Sequence, residues 1–156
     1  MFTVGYEGLS IEQFIDVLHA HNIELLLDVR ELPLSRKKGF SKRSLMSALE
    51  NAGIQYLHER ELGAPRQIRH ALRATGDWES YRKAFMNVLD EKSQLLEHVA
   101  VLASKQRVAL MCFEKDYSVC HRSLIAERMV EMGLIGNIHH ITHLETTEHQ
   151  AAALAK

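Results

Sequence analysis

Apolar residues along the chain follow two alternating patterns: short continuous runs, and longer segments in which they recur every three or four residues. The continuous runs have the length and composition of strands that are buried on both faces of a sheet. They lie at 2–4, 24–30, 54–58 and 107–113, with a shorter one near 138–141. The pattern therefore predicts about five strands.

The segments between these runs have the periodicity of amphipathic helices. Four helices are predicted, at about 11–18, 45–52, 81–102 and 121–132. Ser10 and Gln13 form a capping-box pattern at the start of the first. No period is clear over 59–79, which is interpreted as a long connection that is functional or partly helical. About the last ten residues are predicted to form a peripheral tail.

Strands and helices that alternate in this way are typical of a parallel sheet covered on both faces. The sequence therefore predicts an α/β fold, a three-layer α/β/α domain with a mostly parallel, Rossmann-like sheet of about five strands. With 156 residues, the chain is long enough for one core and short for two, so residues 1–156 are expected to form a single domain.

Composition narrows the class of protein. Hydrophobic content of 46% and charged content of 25% are ordinary for a globular protein, and no apolar run approaches the length of a membrane span. The N-terminus enters a strand without a basic region or cleavage site, so a cytoplasmic location and no membrane partner are expected. Two cysteines do not make a disulfide scaffold, and in a reducing compartment they are structural, catalytic or metal-binding thiols.

Charge is distributed unevenly although the net charge is only −1. Between Arg30 and Arg73 there are ten Lys or Arg residues and four acidic ones. This excess predicts a side of the protein that faces a polyanion, with an ordinary solvated basic face as the alternative.

Candidate chemistry collects where the predicted strands end. In an open parallel sheet, ligands bind outside the carboxyl ends of the strands. The polar or aromatic residues just beyond those ends, together with the start of the following helix, are Tyr6, Glu7, Asp28, Arg30, His58, Glu114, Cys120, His121 and Arg122. Arg36 lies in the loop after the second strand. We expect these side chains to converge on one cleft at this edge.

The residue types suggest roles within that cleft. Glu7 suits a general base or an acceptor for a sugar hydroxyl, since an acid beside a βα turn would repel phosphate. Asp28 is expected to pair with Arg30 or accept from loop amides, while Arg30 and Arg36 suit phosphate or carboxylate. The stretch Arg36–Arg43 interleaves Phe40 with five basic residues, a pattern that fits phosphate contact with base stacking.

The two cysteines lie eight residues apart and are expected to differ. Cys112 has apolar neighbours and is predicted to be a buried thiol of low reactivity. Cys120 lies near a predicted helix N-terminus beside His121 and Arg122, features that favour a thiolate, so it is a candidate nucleophile or metal ligand. The spacing requires no bond between them.

Two groups of residues contain side chains that can bind metals. Zinc would need Cys112, Cys120 and His121 with Glu114 or Asp116, but the spacing is not that of a standard zinc motif, and no metal site is predicted. His139, His140 and His143 form a second cluster. Two of these alternate on a short strand and point to opposite faces, so solvated or capping roles are preferred.

Three segments together resemble a known family. They are TVGYEGLSIEQFIDVLHAHNIELLLDVRELPLSRKKGFSKRSL, LGAPR and MCFEKDYSVCHRSLIA. They resemble the bacterial and archaeal family called domain of unknown function 488 (DUF488), over Phe2 to about Ile141. The resemblance implies an α/β fold, assigns no activity, and implies that Cys112 and Cys120 are candidate functional residues.

These observations lead to two functional hypotheses. The first is an enzyme acting on a phosphate-bearing substrate such as a nucleotide or a nucleic-acid end. Its phosphate would be held by Arg30, Arg36 and Arg122, with Glu7 and either His121 or Cys120 as acid–base or nucleophilic groups. The alternative is a non-catalytic nucleic-acid or nucleotide-binding module in which Arg36–Arg43 and Arg60–Arg73 supply affinity and the thiols are structural or redox-sensing. The sequence identifies no cofactor and no oligomeric state.

Overall fold

The computed structural model describes residues 1–142. Within them lie five strands: β1 (Phe2–Gly5), β2 (Leu25–Asp28), β3 (Gln55–His58), β4 (Val108–Cys112) and β5 (His139–His140). The helices are α1 (Ile11–Ala20), α2 (Lys42–Asn51), α3 (Arg66–Thr75), α4 (Trp78–Asp90), α5 (Ser93–Lys105) and α6 (His121–Glu131). The predicted tail and His143 lie outside the described residues.

The strands form one sheet in the order β3-β2-β4-β1-β5, and every neighbouring pair is parallel. Because β4 lies between β2 and β1, the chain crosses β4 when it passes from β1 through α1 to β2. The register brings the strand ends level, with Gly5 opposite Cys112 and Asp28 opposite His58. The carboxyl ends of four strands therefore lie along a single edge.

The sheet separates two hydrophobic clusters. On one face, Phe14 and Leu18 of α1 and Leu49 of α2 pack against alternate strand residues such as Leu26. On the other face, the buried sides of α4, α5 and α6 pack against residues such as Leu110, with α3 at the margin. Alternate residues of β2 and β4 enter different clusters because successive side chains of a strand point to opposite faces. The predicted three-layer α/β/α fold is confirmed.

The interpretation of 59–79 as partly helical is confirmed, whereas the single helix predicted at 81–102 is wrong. The segment 59–79 holds a 3₁₀ turn at Arg60–Leu62 and the whole of α3. No residue of α3 is fully buried, and its apolar residues Ile68 and Leu72 are partly buried against the core. The predicted single helix at 81–102 is two helices, α4 and α5, which separate at Glu91 and Lys92.

The hydrophobic stripe runs across this break because both helices pack on the same face of the sheet. The break therefore leaves no trace in the spacing of apolar residues.

Among the described residues, no helix combines the length and the apolar character that crossing a membrane requires.

Candidate functional site

A cleft of about 530 Å³ lies at the carboxyl edge of the sheet. Residues from the strand ends that line it include Tyr6, Arg30, Cys112, Phe113 and Glu114. The loop after β2 contributes Arg36, α3 contributes Arg69 and Arg73, α4 contributes Tyr81, and the start of α6 contributes Cys120 and His121. The expected convergence of strand-end residues on one cleft is therefore observed for most of the predicted side chains.

Gly5 allows the strand ends to come this close. The loop that follows β4 passes directly over it, and a Cβ atom at position 5 would overlap the backbone carbonyl of Glu114. The backbone of Tyr6 and Glu7 continues the pairing, donating to the carbonyls of Cys112 at 3.2 Å and Phe113 at 2.8 Å. Residues 6–7 and 112–114 are consequently held against one another at the rim of the cleft.

Asp28 and Arg30 form a buried ion pair beneath the cleft. Arg30 donates to Asp28 from Nε at 2.9 Å and from Nη2 at 2.7 Å, and Tyr56 donates its hydroxyl to the same carboxylate at 2.6 Å. Arg30 also donates from Nη1 to the Tyr6 hydroxyl and to the carbonyl of Phe40. Burial lowers the pKa of Arg30, but hydrogen bonds to and the charge of Asp28 outweigh it and raise the pKa. The predicted pairing of Asp28 with Arg30 is confirmed.

Four of the N–H groups of Arg30 are engaged within the protein, so its main contribution is to hold the cleft together. His58 also helps to hold the cleft together. Its Nε2 donates to the carbonyl of Arg30 at 2.7 Å, and its side chain lies outside the cleft lining. Tyr6 lies in the lining, stacked on Phe40 with ring centroids 4.4 Å apart.

Three further arginines supply positive charge to the cleft. Arg36 and Arg73 are exposed, whereas Arg69 is partly buried and pairs with Glu31 while donating to the carbonyl of Ala64 at 2.6 Å. Arg69 and Arg73 are four residues apart on α3, so they lie on the same side of that helix. Arg36, from the basic segment before β3, thus meets Arg69 and Arg73, from the segment after it, at one cleft. The expected stacking of bases on Phe40 is wrong, because Phe40 is fully buried.

Cys112 and Cys120 are joined by a disulfide. The expectation that the two thiols are unbonded is therefore wrong in this state, and a bonded Cys120 has no thiolate to act as a nucleophile. Cys112 is buried as predicted, and Cys120 is equally buried although it lines the cleft. The eight-residue connection between β4 and α6 returns the chain to the end of β4, which brings the sulfurs together.

His121 lies in the cleft lining beside this disulfide. Its Nε2 donates to the carbonyl of Val29 at 2.6 Å, and its Nδ1 lies 3.8 Å from Cys120 Sγ. Burial lowers the pKa of His121 to about 4, so the ring is neutral at pH 7. Because Nε2 carries the proton, Nδ1 is left as the acceptor.

The expectation that Arg122 faces the cleft is wrong. Its side chain is fully buried behind the cleft wall, donating from Nη1 to Cys112 Sγ at 3.0 Å and to the Glu114 carbonyl at 2.5 Å, and from Nε to Thr3 Oγ1 at 3.2 Å. Burial lowers the pKa of Arg122 to about 10, against the raising effect of Glu114 and Asp116. Successive residues of a helix point about 100° apart, and with His121 in the cleft lining the side chain of Arg122 turns toward Thr3 and the end of β4.

The two predicted acids occupy different places. Glu114 lies in the lining with Oε2 at 3.3 Å from Cys112 Sγ, and burial raises the pKa of its carboxyl. Glu7 lies on the same edge but outside the lining, where it accepts from the backbone N–H of Lys115 at 3.4 Å. The catalytic role suggested for Glu7 stays a prediction, and its position favours a part in holding the loop.

The two described histidines of the C-terminal cluster lie apart. His140 stacks on Tyr117 with centroids 4.0 Å apart and its Nδ1 lies 2.6 Å from Thr3 Oγ1. His139 lies beside Phe2 and His21. Their side chains diverge from β5, as the alternation of a strand requires.

The sequence did not identify Arg69, Arg73 or Tyr81 as cleft residues, whereas Phe113 lies within Cys112–Glu114, which were expected there. The two arginines lie in the segment 59–79, where no period is clear. A helical wheel of 66–75 places them on one side. Tyr81 fits the apolar pattern of a helix, which carries no signal of proximity to a cleft.

The model of the family described as Domain of unknown function DUF488 matches residues 10–129. The chain therefore belongs to the DUF488 family, which confirms the resemblance noted from its motifs. No curated protein and no solved structure matches the chain.

Proposed function

We propose that this protein is an enzyme that acts on a phosphate-bearing substrate, such as a nucleotide or a nucleic-acid end, bound in the cleft at the carboxyl edge of the sheet. The observation that carries the proposal is the meeting of Arg36 with Arg69 and Arg73 on the lining of one cavity. Guanidinium groups bind phosphate oxygens in pairs of hydrogen bonds, and several that converge are typical of phosphate recognition.

The charge balance of the cleft supports an anionic ligand. Arg30 is neutralised by Asp28, and Arg69 is paired with Glu31. Arg36 and Arg73 form no ion pair with any residue in the described part of the chain, and both are exposed. Two positive charges are thus available to a ligand that enters from solvent.

Aromatic surface beside these arginines supports a substrate that carries a base. Phe113 is 46% exposed and meets Tyr6 edge to face, with ring centroids 5.4 Å apart. A large exposed aromatic ring in a basic cleft offers a platform on which a nucleobase can stack.

Proton transfer is assigned to His121 and Glu114. Both line the cleft, and with the two sulfurs bonded they are its groups best suited to acid–base work. Neutral His121 offers an acceptor at Nδ1, and the carboxyl of Glu114 keeps its proton to a higher pH than an exposed glutamate. A base and an acid placed in one cavity suit cleavage or transfer at a phosphate ester.

We also propose a cytoplasmic location.

The alternative function is a non-catalytic nucleotide or nucleic-acid-binding module, which the disulfide between Cys112 and Cys120 favours. In that case the sulfurs have a structural or redox-sensing part. His121 and Glu114 then only shape the cavity.

Binding can be tested by calorimetric titration of the chain with nucleoside mono- and diphosphates and the matching nucleosides. The double variant Arg36→Ala/Arg73→Ala is expected to bind the phosphates at least about 10-fold more weakly, because each arginine loses charge-assisted hydrogen bonds. Arg66→Ala is the matched control, since Arg66 is exposed on the same helix and lies outside the cleft lining. Equal affinity for nucleosides and nucleotides, or an equal effect of Arg66→Ala, would contradict the proposal.

Catalysis is distinguished from binding by the variants His121→Gln and Glu114→Gln. An enzyme should release phosphate or nucleoside from a substrate panel, and these variants should reduce turnover about 100-fold or more while binding changes little. A binding module shows no turnover in the wild type.

A further inference from the structure

We propose that the reduced chain binds one zinc-type divalent metal ion between Cys112 Sγ, Cys120 Sγ and His121 Nδ1, and that the disulfide is the metal-free state of the same site. One donor atom from each of these three residues lies within 4.8 Å of the others. The metal assignment stands without the proposed function. Only the use made of the bound ion rests on it.

The geometry suits a tetrahedral ion. Zinc lies about 2.3 Å from a thiolate sulfur and about 2.0 Å from an imidazole nitrogen, which separates neighbouring ligands by roughly 3.5–3.8 Å. Cys120 Sγ and His121 Nδ1 are already 3.8 Å apart. Opening the bond between the sulfurs frees rotation about the Cα–Cβ bonds, which is the movement that separates the two donors.

The orientation of His121 is that of a metal ligand. Metal-bound histidines commonly donate their other ring N–H to a backbone carbonyl or carboxylate, which fixes the tautomer and the direction of the ring. Nε2 of His121 makes this bond to the Val29 carbonyl at 2.6 Å. Nδ1 is consequently the unprotonated nitrogen, and it lies beside the sulfurs.

The surrounding charges fit both states of the site. In the disulfide state, the buried guanidinium of Arg122 lies against Cys112 Sγ and the Glu114 backbone, and the Glu114 carboxyl is close by. In the reduced state, two thiolates add two negative charges, and a divalent ion adds two positive ones. The total charge is therefore the same in both states, and Arg122 donates a hydrogen bond to one of the two thiolates.

Three protein ligands leave a fourth position, as in catalytic rather than structural zinc sites. Cys112, Cys120 and His121 all belong to the lining of the cleft that also holds Arg36 and Arg73, so we place this fourth position in the same cavity. In the metal-bound protein a phosphate oxygen or water can occupy it, and proton transfer then falls to Glu114 because His121 is a ligand.

The interconversion needs a reductant and an oxidant. A dithiol delivers two electrons and two protons to the disulfide and becomes a disulfide itself. Metal binding then displaces the two thiol protons. A two-electron oxidant such as a peroxide reforms the bond between the sulfurs, is itself reduced, and releases the ion.

The test uses cobalt as the probe, because thiolate-bound tetrahedral cobalt absorbs strongly. The full chain is reduced with a phosphine, the reductant is removed under nitrogen, and cobalt is titrated while absorbance and free thiols are measured. The reduced chain is expected to take up one cobalt with thiolate-to-metal charge-transfer absorption, to release it to equimolar zinc, and to lose it on peroxide treatment. The oxidised chain is expected to bind none.

Variants locate the site. Cys120→Ser and His121→Ala are expected to weaken cobalt binding by more than about 100-fold, since even the loss of an indirect partner costs 10–100-fold. His70→Ala, an exposed histidine on α3, should bind as the wild type does. Circular dichroism checks the folding of each variant. The comparison of reduced with oxidised wild type tests the proposal even if a variant fails to fold.

No cobalt uptake by the reduced chain, equal uptake by the oxidised chain, or unchanged binding by Cys120→Ser would each overturn the proposal. Nucleotide binding by the metal-free chain is measured separately. A failure of the metal site is therefore distinguishable from a failure of the proposed function.

Discussion

Charged residues of this protein include fully buried and exposed ones, and the Asp28–Arg30 ion pair is a buried case. Asp28 is completely buried, and its carboxylate accepts from the backbone N–H and two side-chain groups of Arg30 and from Tyr56. Asp90 forms a comparable ion pair with Arg128 but is 53% exposed. A buried charge that loses its partner cannot be compensated by water, whereas an exposed one can.

Asp28→Asn is therefore expected to destabilise the protein by about 3–5 kcal/mol, because it leaves the buried Arg30 guanidinium without its counter-charge. Asp90→Asn should cost less than about 1 kcal/mol, as is usual for exposed pairs. Urea unfolding followed by circular dichroism measures both. Similar losses in the two variants would show that Asp28 has no special place beneath the cleft.

For single residues, the sequence predicted which residues belong to the site better than it predicted where their side chains point. It indicated that Asp28 pairs with Arg30 and that His121 belongs to the cleft. It could not indicate that Arg122 turns inward, because this depends on acceptors at Thr3, Cys112 and Glu114 that meet only in the folded chain.

At the scale of elements, β1 and the loop after β4 are the parts that build the cleft rim. Their approach depends on Gly5, where any side chain would collide with the backbone of Glu114. Gly136 also has a backbone that any residue can adopt, but its surroundings are open. Comparing alanine substitutions at Gly5 and Gly136 therefore separates the effect of crowding from the effect of adding a methyl group.

Gly5→Ala is expected to destabilise the protein by about 3 kcal/mol or more, at the upper end for overpacked sites, because backbone rather than a flexible side chain must move. Gly136→Ala should change stability by less than about 0.5 kcal/mol. Denaturant unfolding of both variants provides the measurement. A tolerated Gly5→Ala would contradict the close approach of the two segments.

The sequence predicted strands more accurately than helices for a physical reason. The strands β1, β2 and β4 are almost wholly buried and therefore continuous in apolar residues. Helix α3 buries no residue completely, and α4 and α5 share one buried side. Periodicity reports burial, so it fails where a helix lies at the margin or where two helices share a surface.

At the scale of the whole molecule, the fold turns an uneven charge distribution into one basic cleft. Arg36 precedes β3 in the chain and α3 follows it, yet their arginines line the same cavity. The excess of basic residues over 30–73 could be read from the sequence. Some of these basic residues face one cavity because of the position of α3. The sequence did not predict that position.

The affinity for a short single-stranded oligonucleotide is expected to fall as salt rises, because bound phosphates release counterions. In Arg36→Ala/Arg73→Ala, the slope of log affinity against log salt should decrease by about 0.7 for each arginine removed. Fluorescence anisotropy across a salt series measures it, with Arg66→Ala as the control. An unchanged slope in the double variant would mean that these arginines do not contact phosphate.

The proposed function depends on the binding of a phosphate group in the cleft by Arg36, Arg69 and Arg73. Its most direct test is a crystal of the chain soaked in tungstate, a phosphate mimic whose anomalous scattering locates it without ambiguity. An anomalous peak is expected within hydrogen-bonding distance of at least two of these guanidinium groups, and a nucleoside diphosphate is expected to displace it. Peaks confined to other surfaces, with none in the cleft, would contradict it.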